Sequence, residues 1–92
     1  MRLVIDDSAL VDVEQAAAWV AKDSPQSAHA LIAKIFQAID GIERLPGIGH
    51  EGRARGTFER GVSGTRYVIV YELSKPPISI LVTAVFHTAR RE

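Results

Sequence analysis

Residues 52–73 read GRARGTFERGVSGTRYVIVYEL, and the change of texture half-way along this run decides the fold. Its first part interleaves arginine with glycine. Its second part alternates Tyr67, Ile69, Tyr71 and Leu73 with Arg66, Val68, Val70 and Glu72, the period of two that marks a strand. Six of the seven glycines fall between Gly47 and Gly64, a density that favours turns and open, bulged strand over helix. Backbone of that kind can approach a ligand closely. Downstream, residues 78–86 are almost wholly apolar and rich in β-branched side chains, which predicts a second strand buried on both faces and therefore central in its sheet. Ser74-Lys75-Pro76-Pro77 separates the two strands and reads as the turn of an antiparallel hairpin.

Upstream of the run the period changes to that of a helix. Ala28, Leu31, Ile32, Ile35, Ile39, Ile42 and Leu45 form one continuous stripe, opened by Ser24 as N-cap with Pro25 in the first helical position and closed by Pro46-Gly47. Before it, Ala9, Leu10, Val13, Ala16, Ala17 and Val20 recur at helical spacing, with Asp12 and Glu14 early, where the helix dipole favours negative charge; Trp19 is expected to flank this stripe as packing. The break at Asp23-Ser24-Pro25 makes the two helices an antiparallel hairpin. Ahead of them, Arg2 to Ile5 reads as a short strand stopped by Asp6-Asp7. The order predicts an α+β fold over a single domain, 1–92: an N-terminal strand, then an antiparallel helical hairpin packed on a small, mainly antiparallel β-sheet. The sheet face away from the helices must turn polar residues outward or meet a partner, and Arg53, Arg55, Arg66 and His87 are its candidate lining.

Composition narrows the function. Hydrophobic residues make up 47% and charged residues 24% of the chain, proportions that give a globular domain a core. Cysteine is absent, which excludes a disulfide framework and any cysteine-based zinc or redox site and suits a cytoplasmic protein. The apolar run at the N-terminus is too short for a signal peptide or a membrane span. Net charge is zero, yet the residues up to Pro46 sum to −3 and those beyond it to +3. An asymmetry of that sort marks a possible anion-binding face in the second half. The glycine-rich stretch lacks the Gly-Lys-Ser/Thr ending of a nucleotide-binding P-loop, and three scattered histidines make no metal site, so neither cofactor nor metal is expected. Neither helix is basic, which speaks against a sequence-reading DNA-binding module.

Four features in order, the Ala-rich first helix, "IDGIERLPG" at 39–47, the run at 52–73 and the ending "VFHTARRE", resemble the RelE/ParE toxins of type II toxin-antitoxin modules, and the arginine- and glycine-rich strand leading into a Tyr-containing one resembles the ParE-like branch. The resemblance implies a growth inhibitor, of the kind that serves plasmid stabilisation, held inactive in a hetero-oligomer by a cognate antitoxin that wraps it with a helix and an extended segment. It implies one of two targets: DNA gyrase, poisoned by binding, or messenger RNA, cut in the ribosome. The apolar surplus of the helices and last strand suits an antitoxin contact.

Metal-free RNA cleavage needs a base for the 2′-hydroxyl, an acid for the leaving oxygen and cations for the charged phosphorane. Arg53, Arg55 and Arg66 could hold the phosphate, and Glu59 or His87 could move the proton; His29 lies in a helix and His50 in a turn. RelE-like nucleases carry a tyrosine or a His-Tyr pair near the C-terminus, whereas Thr88 follows His87 here, and Tyr67 and Tyr71 read as core or edge residues of their strand. Each arginine alone is explained as well by solvation, worth roughly 0–1 kcal/mol in a surface pair. The cluster favours binding, and Arg53, Arg55, Arg60, Arg66, His87 and Arg90 are the candidate target-binding residues.

Overall fold

The computed structural model describes residues 2–52, 55–74 and 78–90, with the side chains of Ile48 and Arg90 outside that description. Strand β1 (Arg2–Ile5) leads into helices α1 (Asp7–Ala21) and α2 (Pro25–Arg44), followed by strands β2 (His50–Glu51), β3 (Thr57–Gly61), β4 (Tyr67–Ser74) and β5 (Ser79–His87). The sheet order is β1-β5-β4-β3-β2, with β1 parallel to β5 and every other pair antiparallel. The expected α+β layout is what forms, and β5 lies inside the sheet as its sequence requires. Of the β4–β5 turn, Lys75, Pro76 and Pro77 fall outside the described residues.

Helix α2 begins as its sequence dictates: the Ser24 hydroxyl accepts the N–H of Ser27 at 3.1 Å, and Pro25 sits where its missing N–H costs nothing. One side of the hairpin, Ala9, Val13 and Ala16 with Leu31, Ile35, Ile39 and Ile42, packs on the sheet face made by Tyr67, Ile69, Tyr71, Ile80, Val82 and Val85. Three residues depart from the expected stripes. Leu10 (38% exposed) and Leu45 (61% exposed) fall off the buried faces, Leu45 because the helix has already ended at Arg44. Trp19 is 54% exposed and carries the Lys22 ammonium 4.8 Å from its ring centre, an exposed cation–π contact.

Strand β5 changes face part-way. Ile80 and Val82 point to the helices, but so does Val85, because Val70 pairs with Ala84 and Tyr71 with Val82, leaving Thr83 as an extra residue. This bulge flips the alternation. β1 ends at Ile5, so the outer edge of β5 beyond Val82 has no strand beside it, and α1 completes the ladder. The Ser8 hydroxyl donates to the Thr83 carbonyl at 2.8 Å, and Asp12 Oδ2 accepts the Val85 N–H at 2.9 Å. Removing that acceptor orphans a part-buried donor. Asp12→Ala is expected to destabilise the fold by about 1–2 kcal/mol in urea unfolding, and Asp12→Asn, which keeps a carbonyl oxygen, by less than half as much.

Candidate target-binding surface

Period two along β3 divides its residues between the faces of the sheet. Phe58 pairs with Tyr71 and stacks on it with ring centres 5.7 Å apart, so Phe58 and Arg60 face the helices while Thr57, Glu59 and Gly61 face away. Arg60 therefore leaves the expected basic surface. Its guanidinium packs against Gly41 of α2, where an added β-carbon would lie 2.9 Å from both terminal nitrogens, and its Nη1 is buried with no hydrogen-bond partner.

Glu59, on the opposite face, is only 5% exposed. Its Oε1 lies 3.8 Å from Nε2 of His50, the residue opposite it on β2. Gly52 allows this burial: a β-carbon there would run into the Thr57 hydroxyl and come within 3.3 Å of Glu59 Oε2, while the Gly52 N–H donates to the Thr57 carbonyl at 2.8 Å. His50 was expected in a turn. A two-residue strand is too short to announce itself by alternation, so the His50–Glu59 pair had no signal in the sequence.

Arg55 is exposed in the loop before β3 and borders a cavity of about 220 Å³ with Glu51, Gly52, Gly56, Thr57 and Phe58. Arg66 is exposed just before β4, and its carbonyl accepts the Thr88 N–H at 2.9 Å. Thr57 pairs with Glu72 and Gly61 with Val68, so these two arginines stand at opposite ends of the β3–β4 ladder. The length of β3, roughly 13 Å or more, lies between them. Arg53 and the Arg90 side chain lie outside the described residues.

His87 does not line the open sheet face. Paired with Tyr67, it turns to the helix side, its ring edge-on to Tyr67 with centres 5.0 Å apart and its Nδ1 accepting the Ala89 N–H at 3.1 Å. A cavity of about 150 Å³ beside it is bounded by Asp12, Gln15, Ala16 and Val85. Over β1, β5 and β4 the open face is apolar, with Val4, Val68, Val70, Leu81, Ala84 and Phe86 all partly or largely exposed, and toward β3 and β2 it turns polar with Glu72, Thr57, Glu59 and His50. Tyr71 is fully buried; its hydroxyl donates to the Pro46 carbonyl at 2.9 Å. Burial pushes its pKa above the ordinary tyrosine value, against smaller opposing contributions from the Gly49 N–H and the Arg60 charge. Among the described residues no three His, Asp or Glu side chains gather as metal ligands, and no helix is long and apolar enough to cross a membrane.

A family model for the ParE toxin of type II toxin-antitoxin systems, parDE, matches residues 3–92. The chain belongs to this family. A Sinorhizobium fredii protein named as a toxin, Y4kP, is 31% identical over 67 residues, which are 73% of this chain and 70% of the relative. Among solved structures, the chromosomal ParDE system of P. aeruginosa superposes with a TM-score of 0.83 at 13% identity, over 95% of each chain. A YoeB/ParE toxin from Agrobacterium tumefaciens gives 0.64 at 24% identity, over 95% of this chain and 98% of that one. The RelBE2 toxin-antitoxin complex of Mycobacterium tuberculosis gives 0.64 at 22% identity, over 94% and 95%. These three likenesses are of fold. The ParE-like assignment thus holds over the strands and helices that suggested it, while the residues of a working surface are a separate matter of chemistry.

Proposed function

We propose that this ParE-family toxin inhibits growth by binding DNA gyrase and is neutralised by a cognate antitoxin. The observation that carries binding over cleavage is the scatter of the candidate residues. A nuclease needs acid, base and phosphate-holding cations within a few ångströms of one phosphate. Here Arg55 and Arg66 stand at opposite ends of the β3–β4 ladder, Arg60 faces α2, and His87 turns to the helix side with Nδ1 engaged. Cations this far apart can grip a large protein surface, and Arg55 and Arg66 are its contacts in this reading, with Arg53 and Arg90 as further ones. An antitoxin fits the apolar open face, since exposed patches rimmed by polar residues serve partners. The M. tuberculosis relative is itself part of a toxin-antitoxin complex.

Purified toxin added to gyrase and relaxed plasmid is expected to block supercoiling and trap cleaved DNA, and Arg66→Ala is expected to weaken the effect about tenfold, the worth of one charge-assisted contact. Normal supercoiling at excess toxin would sink the gyrase reading.

One observation favours ribosome-dependent mRNA cleavage as the second reading: His50 and Glu59, 3.8 Å apart at the middle of β3, form an acid–base pair, with Arg55 in the loop that enters the strand. Messages cut in a translation reaction by wild type and spared by His50→Ala would move the assignment there.

A further inference from the structure

We propose that the cavity between α2 and the β3–β4 turn is a binding site for a phosphate group. The site does not depend on which target the toxin has. It is bounded by Lys34, Gln37 and Ala38 of α2, Arg60 and Gly61 of β3 and Ser63 of the turn, and encloses about 170 Å³. Lysine, arginine, glutamine and serine all supply donors, and a phosphate offers acceptors in every direction. Among the described residues no carboxylate borders the cavity. Glu59 lies across the sheet, on the other face from Arg60. Asp40, one helical turn beyond Gln37, is held by Arg44 at 2.9 Å.

Two cations from different layers thus face one space with no counter-ion among the described residues of its walls. Arg60 strengthens the case: Nη1 is buried without a partner and the guanidinium is packed against Gly41, so part of its hydration is already lost. A partly desolvated cation gains more from an anion than a solvated one does. The turn is also held in place beforehand. The Thr65 hydroxyl donates to the Val62 carbonyl at 2.8 Å and accepts the Tyr67 N–H at 3.0 Å, and Gly64, at φ +77°, lets the chain pass beneath Lys34, whose Nζ would lie 3.6 Å from a β-carbon there. Donors arriving from the helix, the strand and the turn suit a tetrahedral oxyanion better than a planar carboxylate. The volume falls below the roughly 300–1,000 Å³ of pockets that enclose a whole small molecule, so the site holds the phosphate group and leaves any attached moiety outside.

The test is titration of the full-length, 15N-labelled toxin with inorganic phosphate, ionic strength being held constant with sodium chloride. Saturable amide shifts are expected at Lys34, Gln37 and residues 60–64. Lys34→Gln, a change on an exposed helix position that leaves the fold intact, is expected to weaken binding about tenfold, and Arg60→Met to abolish it. A parallel titration with 5′-AMP separates the sources: equal affinity identifies free phosphate as sufficient, and tighter binding identifies a larger phosphomonoester. Shifts that match those of chloride alone, or that persist unchanged in Lys34→Gln, would overturn the proposal.

Discussion

Gly49→Ala is expected to lower the thermal unfolding midpoint by roughly 10–20 °C, the equivalent of about 2–3 kcal/mol in a domain of this size. The backbone at Gly49, φ −72° and ψ 164°, is open to any residue, so the cost is steric alone. A β-carbon there would collide with the Tyr71 hydroxyl and lie 3.0 Å from both Tyr71 Cζ and the Glu59 carbonyl oxygen. Tyr71 cannot swing aside, being fully buried and hydrogen-bonded to the Pro46 carbonyl. Tyr71→Phe alone gives up that bond for about 1 kcal/mol. In the double variant the colliding oxygen is gone, so the losses are expected to fall short of additivity by about 1 kcal/mol or more. Strict additivity in urea unfolding would mean that the two residues do not meet.

Ile35→Ala is expected to cost about 3 kcal/mol, and Leu45→Ala less than 0.5 kcal/mol, although both belong to the same apolar stripe in the sequence. Ile35 has no exposed surface and packs between the helical hairpin and the sheet; Leu45 follows the last helical residue and is 61% exposed. Equal losses in chemical denaturation would overturn the packing described above.

That contrast marks where the chain was legible. Periodicity of 3.6 over twenty residues locates α2 and its buried face, because many positions must agree; at the final turn one residue decides, and the cap geometry overrides the pattern. The alternation of β4 survives intact from sequence to structure. β3 was harder, since Thr57-Phe58-Glu59-Arg60-Gly61 holds a single large apolar residue, and only the stacking of Phe58 on Tyr71 reveals that Arg60 faces inward. Strict alternation along β5 puts His87 on the wrong face because the Thr83 bulge changes which positions point inward, and a bulge among β-branched residues leaves no mark in composition. The glycines were legible as a class. Which of them admits a neighbour, as Gly52 admits Glu59 and Gly41 admits Arg60, required the third dimension.

The parallel pairing of β1 with β5 joins Arg2 to Ser79, 77 positions apart. A ribosome adding about 5–20 residues per second takes several seconds to cover that distance. Through that interval the first-made strand has no neighbour to pair with, while the helical hairpin, whose contacts are local, can already form. β5 then closes the sheet on two sides at once, against β1 and β4. Completion of the sheet thus waits on the arrival of a late segment, and until it is made the apolar strands on either side of it lack the neighbour that joins them.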